Sequence, residues 1–90
     1  MSKFHARVLV SLRPSVLDPA GEATRAAANR LGIEGIEKLR IGKAVEIVID
    51  ASDEDQARKR LEILSDRLLA NSVIEDWTLE LSSCSSNDIS

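Results

Sequence analysis

The stretch Ser15–Gly32, SVLDPAGEATRAAANRLG, constrains this chain most, because it spells out both ends of one helix. Asp18 is an N-cap candidate, and Pro19 takes the first helical position, where a missing N–H costs nothing. Glu22 suits the positive end of the helix dipole, and Gly32 is a C-cap candidate. The apolar stripe between them is mostly small: Ala20, Ala23, Ala27 and Leu31. The spacing predicts a helix from about Pro19 to Leu31 whose small residues let it lie close on a sheet.

The neighbouring periodicities supply that sheet. Lys3 to Arg13 alternates, with Phe4, Ala6, Val8, Val10 and Leu12 on one face and His5, Arg7, Ser11 and Arg13 on the other. Leu9 is the exception. This is a half-buried strand. A second helix is predicted from about Asp53 to Ala70, capped by Ser52 or Asp53, with Asp53, Glu54 and Asp55 in its first turn. Its inward stripe is Ala57, Leu61, Leu64 and Leu68. A last strand runs from Val73 to Leu81, with Val73, Trp77, Leu79 and Leu81 inward.

Between the helices, Ile36 to Asp50 keeps Leu39, Ile41, Val45, Ile47 and Ile49 on one parity. One long strand bent near Gly42 fits this pattern, and so does a hairpin around Gly42-Lys43-Ala44 that pairs Ile41 with Val45. Length favours the long strand with a second subunit completing the sheet. Such a strand would run roughly 50 Å, beyond what a domain of this size covers alone. The order is then β-α-β-α-β, an α+β two-layer sandwich related to the ferredoxin-like fold.

The chain makes one domain over 1–82, followed by a polar tail over 83–90 that the composition predicts to be disordered. No apolar run approaches ~20 residues, so nothing in it spans a membrane. The N-terminal MSKFHARVLV lacks a signal peptide's apolar region and cleavage site, which points to the cytoplasm. The net charge of −3 hides an asymmetry. Residues 1–45 carry eight Lys/Arg against four Asp/Glu, and residues 46–90 carry four against eleven. With Phe4 and Trp77 the only aromatics, this excludes an ordinary nucleic-acid binder and suits self-association or docking on a partner.

The search for chemistry returns little. One His and one Cys, far apart, supply neither a metal site nor a nucleophile with its base, so no catalytic, cofactor or metal residue is expected. Glu75 and Asp76 are adjacent in a strand, point to opposite faces and cannot form a dyad. The RIGK run places Arg40 and Lys43 around Gly42, but lacks the glycine-rich loop leading into a helix that makes a phosphate cradle. A surface or subunit contact is the favoured reading of that run.

Three segments carry a resemblance: Leu17-Asp18-Pro19-Ala20-Gly21, Arg40-Ile41-Gly42-Lys43, and Leu69-Ala70-Asn71-Ser72-Val73-Ile74-Glu75-Asp76-Trp77. In order and spacing they resemble the signature segments of PurS, the small subunit of phosphoribosylformylglycinamidine (FGAM) synthase, and the likeness covers residues 3–81. Departures are Ala20, Ser72 and Trp77, where members often carry Gln, Pro and Tyr or Phe.

The resemblance implies a non-catalytic accessory subunit of de novo purine synthesis. It would help assemble the glutaminase (PurQ) and the ATP-dependent synthetase (PurL), and act as a homodimer or tetramer. ATP and Mg²⁺ are expected on the large subunit, with no cofactor on this chain. It places Asp18, Pro19, Gly21, Arg40, Gly42, Lys43, Asn71, Glu75, Asp76 and Trp77 at subunit or partner contacts. The alternative is a small ACT-like regulatory domain that binds an amino acid.

Overall fold

The alternation along the first strand becomes β1 (Ser2–Leu12), the central strand of a three-stranded sheet. The computed structural model describes residues 2–83. After β1 come α1 (Pro19–Arg30), β2 (Lys43–Ala51), α2 (Glu54–Leu64), a π-helical turn (Ser65–Leu69) and β3 (Glu75–Ser83). The sheet order is β2-β1-β3, with both neighbours antiparallel to β1. This is the expected α+β order, β-α-β-α-β.

The apolar face of β1 forms the floor of the core. Phe4, Ala6, Val8 and Val10 are all at most 5% exposed, while Arg7 and Ser11 face out. Val8 lies between Val45 of β2 and Leu79 of β3, so three apolar side chains stand abreast. α2 packs on β2 and β3, with Ala57 and Leu61 buried against this floor.

Several boundaries differ from the sequence reading. The second strand begins at Lys43, not Ile36, and residues 33–42 form neither a ladder with β2 nor a hairpin. Extended backbone needs a partner strand to become a ladder, and within this chain none reaches that run. β3 begins at Glu75, leaving Val73 75% exposed instead of inward. It also reaches two residues further than predicted, because Ser82 and Ser83 pair with His5 and Phe4. Residues 84–90, most of the predicted tail, lie outside the described residues.

The second helix does not run unbroken to Ala70. The π-helical turn inserts one residue into the repeat, so burial passes from Leu61 to Ser65 and then to Ala70. Ser65 donates its hydroxyl to the Leu61 carbonyl at 2.7 Å and accepts the Ala70 amide at 2.9 Å. Leu68, predicted inward, is therefore turned out to 77% exposure.

The stripe of α1 also misses its expected place. Ala20, Ala23 and Leu31 are exposed and only Ala27 is half-buried, since α1 has no contact with any strand comparable to that of α2. One helix, not two, covers most of the sheet. Val45, Ile47, Trp77 and Leu79 stay half-covered as a result.

Candidate partner interface

The ends of α1 close as their residues dictate. The Asp18 carboxylate accepts the Gly21 amide at 2.9 Å, the capping bond that a helix start needs. At the other end Gly32 takes φ +86°, its amide donates to the Asn29 carbonyl, and the Ile33 amide donates to that of Ala28. These are the two bonds of a Schellman stop.

Asp18 also does something that its sequence does not announce. Its second oxygen accepts the Ile41 amide at 2.8 Å, tying the 33–42 run to the start of α1. The Ile41 and Gly21 amides hold its carboxyl below the usual carboxylate range. Burial opposes that shift, and the Arg40 guanidinium adds to it. Gly21 is buried where the run crosses, and a Cβ there would meet the Leu39 carbonyl oxygen. Arg25 completes the strap by donating to the Ile36 carbonyl at 3.1 Å.

Arg13, one residue beyond β1, joins the other two segments. Its guanidinium donates to the Ser72 carbonyl at 2.6 Å and the Val73 carbonyl at 3.1 Å, and pairs with Asp76 at 3.2 Å. Its amide donates to the Ile74 carbonyl at 2.9 Å, and its carbonyl accepts from Arg40 at 2.7 Å. Asn71 and Glu75 shape the same loop. The Asn71 amide donates to the Glu75 carboxylate at 2.7 Å, and the Asn71 side-chain oxygen accepts the Val73 amide at 3.0 Å.

The three segments singled out in the sequence therefore meet at one end of the sheet, knotted through Asp18 and Arg13. Asp18, Gly21, Arg40, Asn71, Glu75 and Asp76 belong to this knot. Pro19 is exposed at the first position of α1, and Lys43 is exposed at the first position of β2. Gly42 lies where a Cβ would strike the Val10 carbonyl oxygen, so its role is close backbone approach. Trp77 stands apart, lining a groove of about 550 Å³ with Lys59, Glu62, Ile63, Asp66 and Arg67 of the helical layer.

Arg40, read from the sequence as a surface or subunit contact, has its guanidinium bonded within the chain to the Arg13 carbonyl. Arg13 escaped sequence reasoning because most of its partners are backbone carbonyls some sixty residues away. Around the knot, Leu17 and Val73 are each 75% exposed and Ile41 is 44% exposed. Among the described residues no group of three or more His, Cys, Asp or Glu could hold a metal ion. The arrangement presents a rigid, partly apolar surface.

The family model for PurS, phosphoribosylformylglycinamidine (FGAM) synthase, matches residues 5–83. The chain is 46% identical over 78 residues to the phosphoribosylformylglycinamidine synthase subunit PurS of Synechocystis sp., covering 87% of this chain and 78% of that one. In fold it is similar to the PurS of B. subtilis, with a TM-score of 0.79 and 38% identity, over 88% of this chain and 98% of that one. It is also similar to a chain of the PurLQS structure from Thermotoga maritima, with a TM-score of 0.81 and 26% identity, over 93% and 100%. The chain belongs to the PurS family, a subunit of FGAM synthase in purine biosynthesis.

Proposed function

We propose that this chain is the assembly subunit of its FGAM synthase, bringing a glutaminase (PurQ) and an ATP-dependent synthetase (PurL) together without performing chemistry itself. The observation that carries this is the knot of the three signature segments, in a chain whose relative forms part of a PurLQS structure. The complex would convert formylglycinamide ribonucleotide to the formylamidine at the expense of ATP and glutamine. ATP and Mg²⁺ would sit on the large subunit, and the chain would work in the cytoplasm as a homodimer or tetramer.

Ammonia released at one active site is protonated or lost to solvent unless the second site is held in fixed relation to it. A scaffold is then obligatory for glutamine-dependent turnover although it touches no reacting atom. The test is reconstitution. This chain alone should neither hydrolyse ATP nor release ammonia from glutamine, and adding it to the other two subunits should restore glutamine-dependent amidine formation. Full glutamine-dependent turnover without it refutes the proposal. The ACT-like alternative predicts heat on titration with free amino acids, and the assembly subunit predicts none.

A further inference from the structure

β3 is an edge strand: β1 lies on one side of it, and its other side is open. The Arg13 amide donates to the Ile74 carbonyl at 2.9 Å, and that pair fixes the alternation along the ladder. Asp76, Thr78, Glu80 and Ser82 turn their amides and carbonyls to β1, so those of Trp77, Leu79 and Leu81 face the open side. The edge carries neither the proline nor the lysine that commonly blunts one. Beside it lies the groove of about 550 Å³ walled by Trp77 and the helical layer. Among the described residues none from β1 or β2 lines that groove, so it opens at the β3 side of the molecule.

The two faces of β3 state the chemistry of a strand that would add there. Trp77, Leu79 and Leu81 are half-buried toward the helical layer, and Asp76, Thr78 and Glu80 are exposed on the other face. β1 shows a fitting neighbour on the side already filled, with Val8 opposite Leu79 and Arg7 opposite Glu80. By the same rule the open side fits apolar residues alternating with basic ones. The edges of a second copy fail that rule. Another β3 brings Asp76 and Glu80, and β2 carries Glu46 and Asp50 on the same face, so acidic rows would meet.

We propose that an extended segment of a partner subunit, apolar and basic in alternation, adds to the open edge of β3 and sets an apolar side chain in the groove beside Trp77. The inference rests on the reading of this chain as an assembly subunit and names the edge that holds a partner. Main-chain bonds at Trp77, Leu79 and Leu81 supply the hold, while Trp77 and the exposed Ile63 lose water to the inserted side chain. Asp76 is already paired with Arg13, which leaves Glu80 as the main charge to be met. A slip of one residue would turn the basic row to the apolar side, so the register is fixed.

Hydrogen exchange in the complex with the glutaminase and synthetase subunits, read residue by residue after the complex is taken apart, tests the edge. The Trp77, Leu79 and Leu81 amides should slow relative to the free chain, whereas those of Thr78 and Glu80, bonded to β1 in both, should not change. A synthetic chain with an N-methyl group on the Leu79 nitrogen loses one outward donor and keeps its own ladder. It should unfold within a few degrees of the native Tm, and its recovery of the partner subunits should fall about tenfold, the weight of one lost hydrogen bond. Glu80→Lys should weaken recovery at low salt and much less at high salt. A complex that forms normally while the three amides exchange as in the free chain overturns the edge and leaves the assembly reading intact. Undiminished recovery by the N-methyl form does the same. Slowing of the three amides in the chain alone as its concentration rises gives the edge to a second copy and also overturns the proposal. Failure of the native chain to form any complex removes the assembly reading, and the inference with it.

Discussion

Gly21→Ala sets two physical effects of opposite sign against each other. In a helix interior alanine is favoured over glycine by about 1 kcal/mol, so helix propensity alone expects stabilisation. The structure expects the reverse. The added Cβ would fall on the Leu39 carbonyl oxygen and come within 2.8 Å of an Asp18 carboxylate oxygen. The first obstacle is backbone held by the neighbouring Asp18–Ile41 bond, and it cannot rotate away as a side-chain tip would. Overpacking costs about 1–3 kcal/mol, and a backbone obstacle belongs at the upper end. The net loss is then about 2 kcal/mol, or a fall in Tm of about 8–16 °C for a domain of this size. Thermal unfolding at fixed protein concentration measures it, with hydrogen exchange at the Ile41 amide reporting the strap. A Tm that rises by about 5 °C, with the Ile41 amide still protected, would refute the close approach of the 33–42 run to α1.

Other perturbations test the knot and the core. The Asp18 carboxyl is held below its unfolded value of about 3.9 by the Ile41 and Gly21 amides, so its contribution is complete above about pH 4 and lost as pH falls through the folded value. Acid titration of stability should therefore show a steeper loss in the native chain than in Asp18→Asn. Arg13→Lys should resemble Arg13→Ala in weakening recovery of the partner subunits, because an ammonium cannot reach Ser72, Val73 and Asp76 together. Tm should move only a few degrees in either, since the Arg13 side chain is 43% exposed and its Asp76 partner 64%. Leu61→Ala should cost about 2–5 kcal/mol, and Leu68→Gln should stay within about 0.5 kcal/mol, although one helical stripe contains both. Equal losses in urea titrations would remove the π-helical turn from the account.

What the sequence disclosed was whatever its own neighbours determine. β1 was legible because alternation of Phe4, Ala6, Val8 and Val10 is a local pattern, and both ends of α1 were legible because Asp18 and Gly32 act within a few residues. The π-helical turn was not, since a 3.6-residue repeat keeps Leu68 in register until one extra residue is inserted. Gly21 entered only as a contact that the resemblance implies, because its constraint is the carbonyl of Leu39, placed there by the fold. Arg13 read as a solvated charge on the polar face for a similar reason. The alanine stripe of α1 announced which face is small, and periodicity carries no information about whether anything covers it. The signature segments were legible as a resemblance, but their meeting through Arg13 and Asp18 is set by the fold.

The uncovered sheet and the stability of the chain are linked. Among the described residues, Ala6, Ala51, Ala57 and Ala70 make up half of the eight buried apolar ones, and alanines contribute little apolar area each. The Cα radius of gyration is 16.9 Å, against about 12 Å for a compact chain of this length. A small domain is marginal even when compact, and this one leaves α1 and half of its sheet face without cover. Association would bury that surface only in the folded state, and so shifts unfolding by mass action. Tm should therefore climb as protein concentration is raised from the micromolar to the millimolar range. Ile47→Glu, which places a charge in the half-covered face, should lower Tm and abolish the concentration dependence together. A Tm that is high and independent of concentration in the native chain would refute this, because the single chain would then suffice for its own fold.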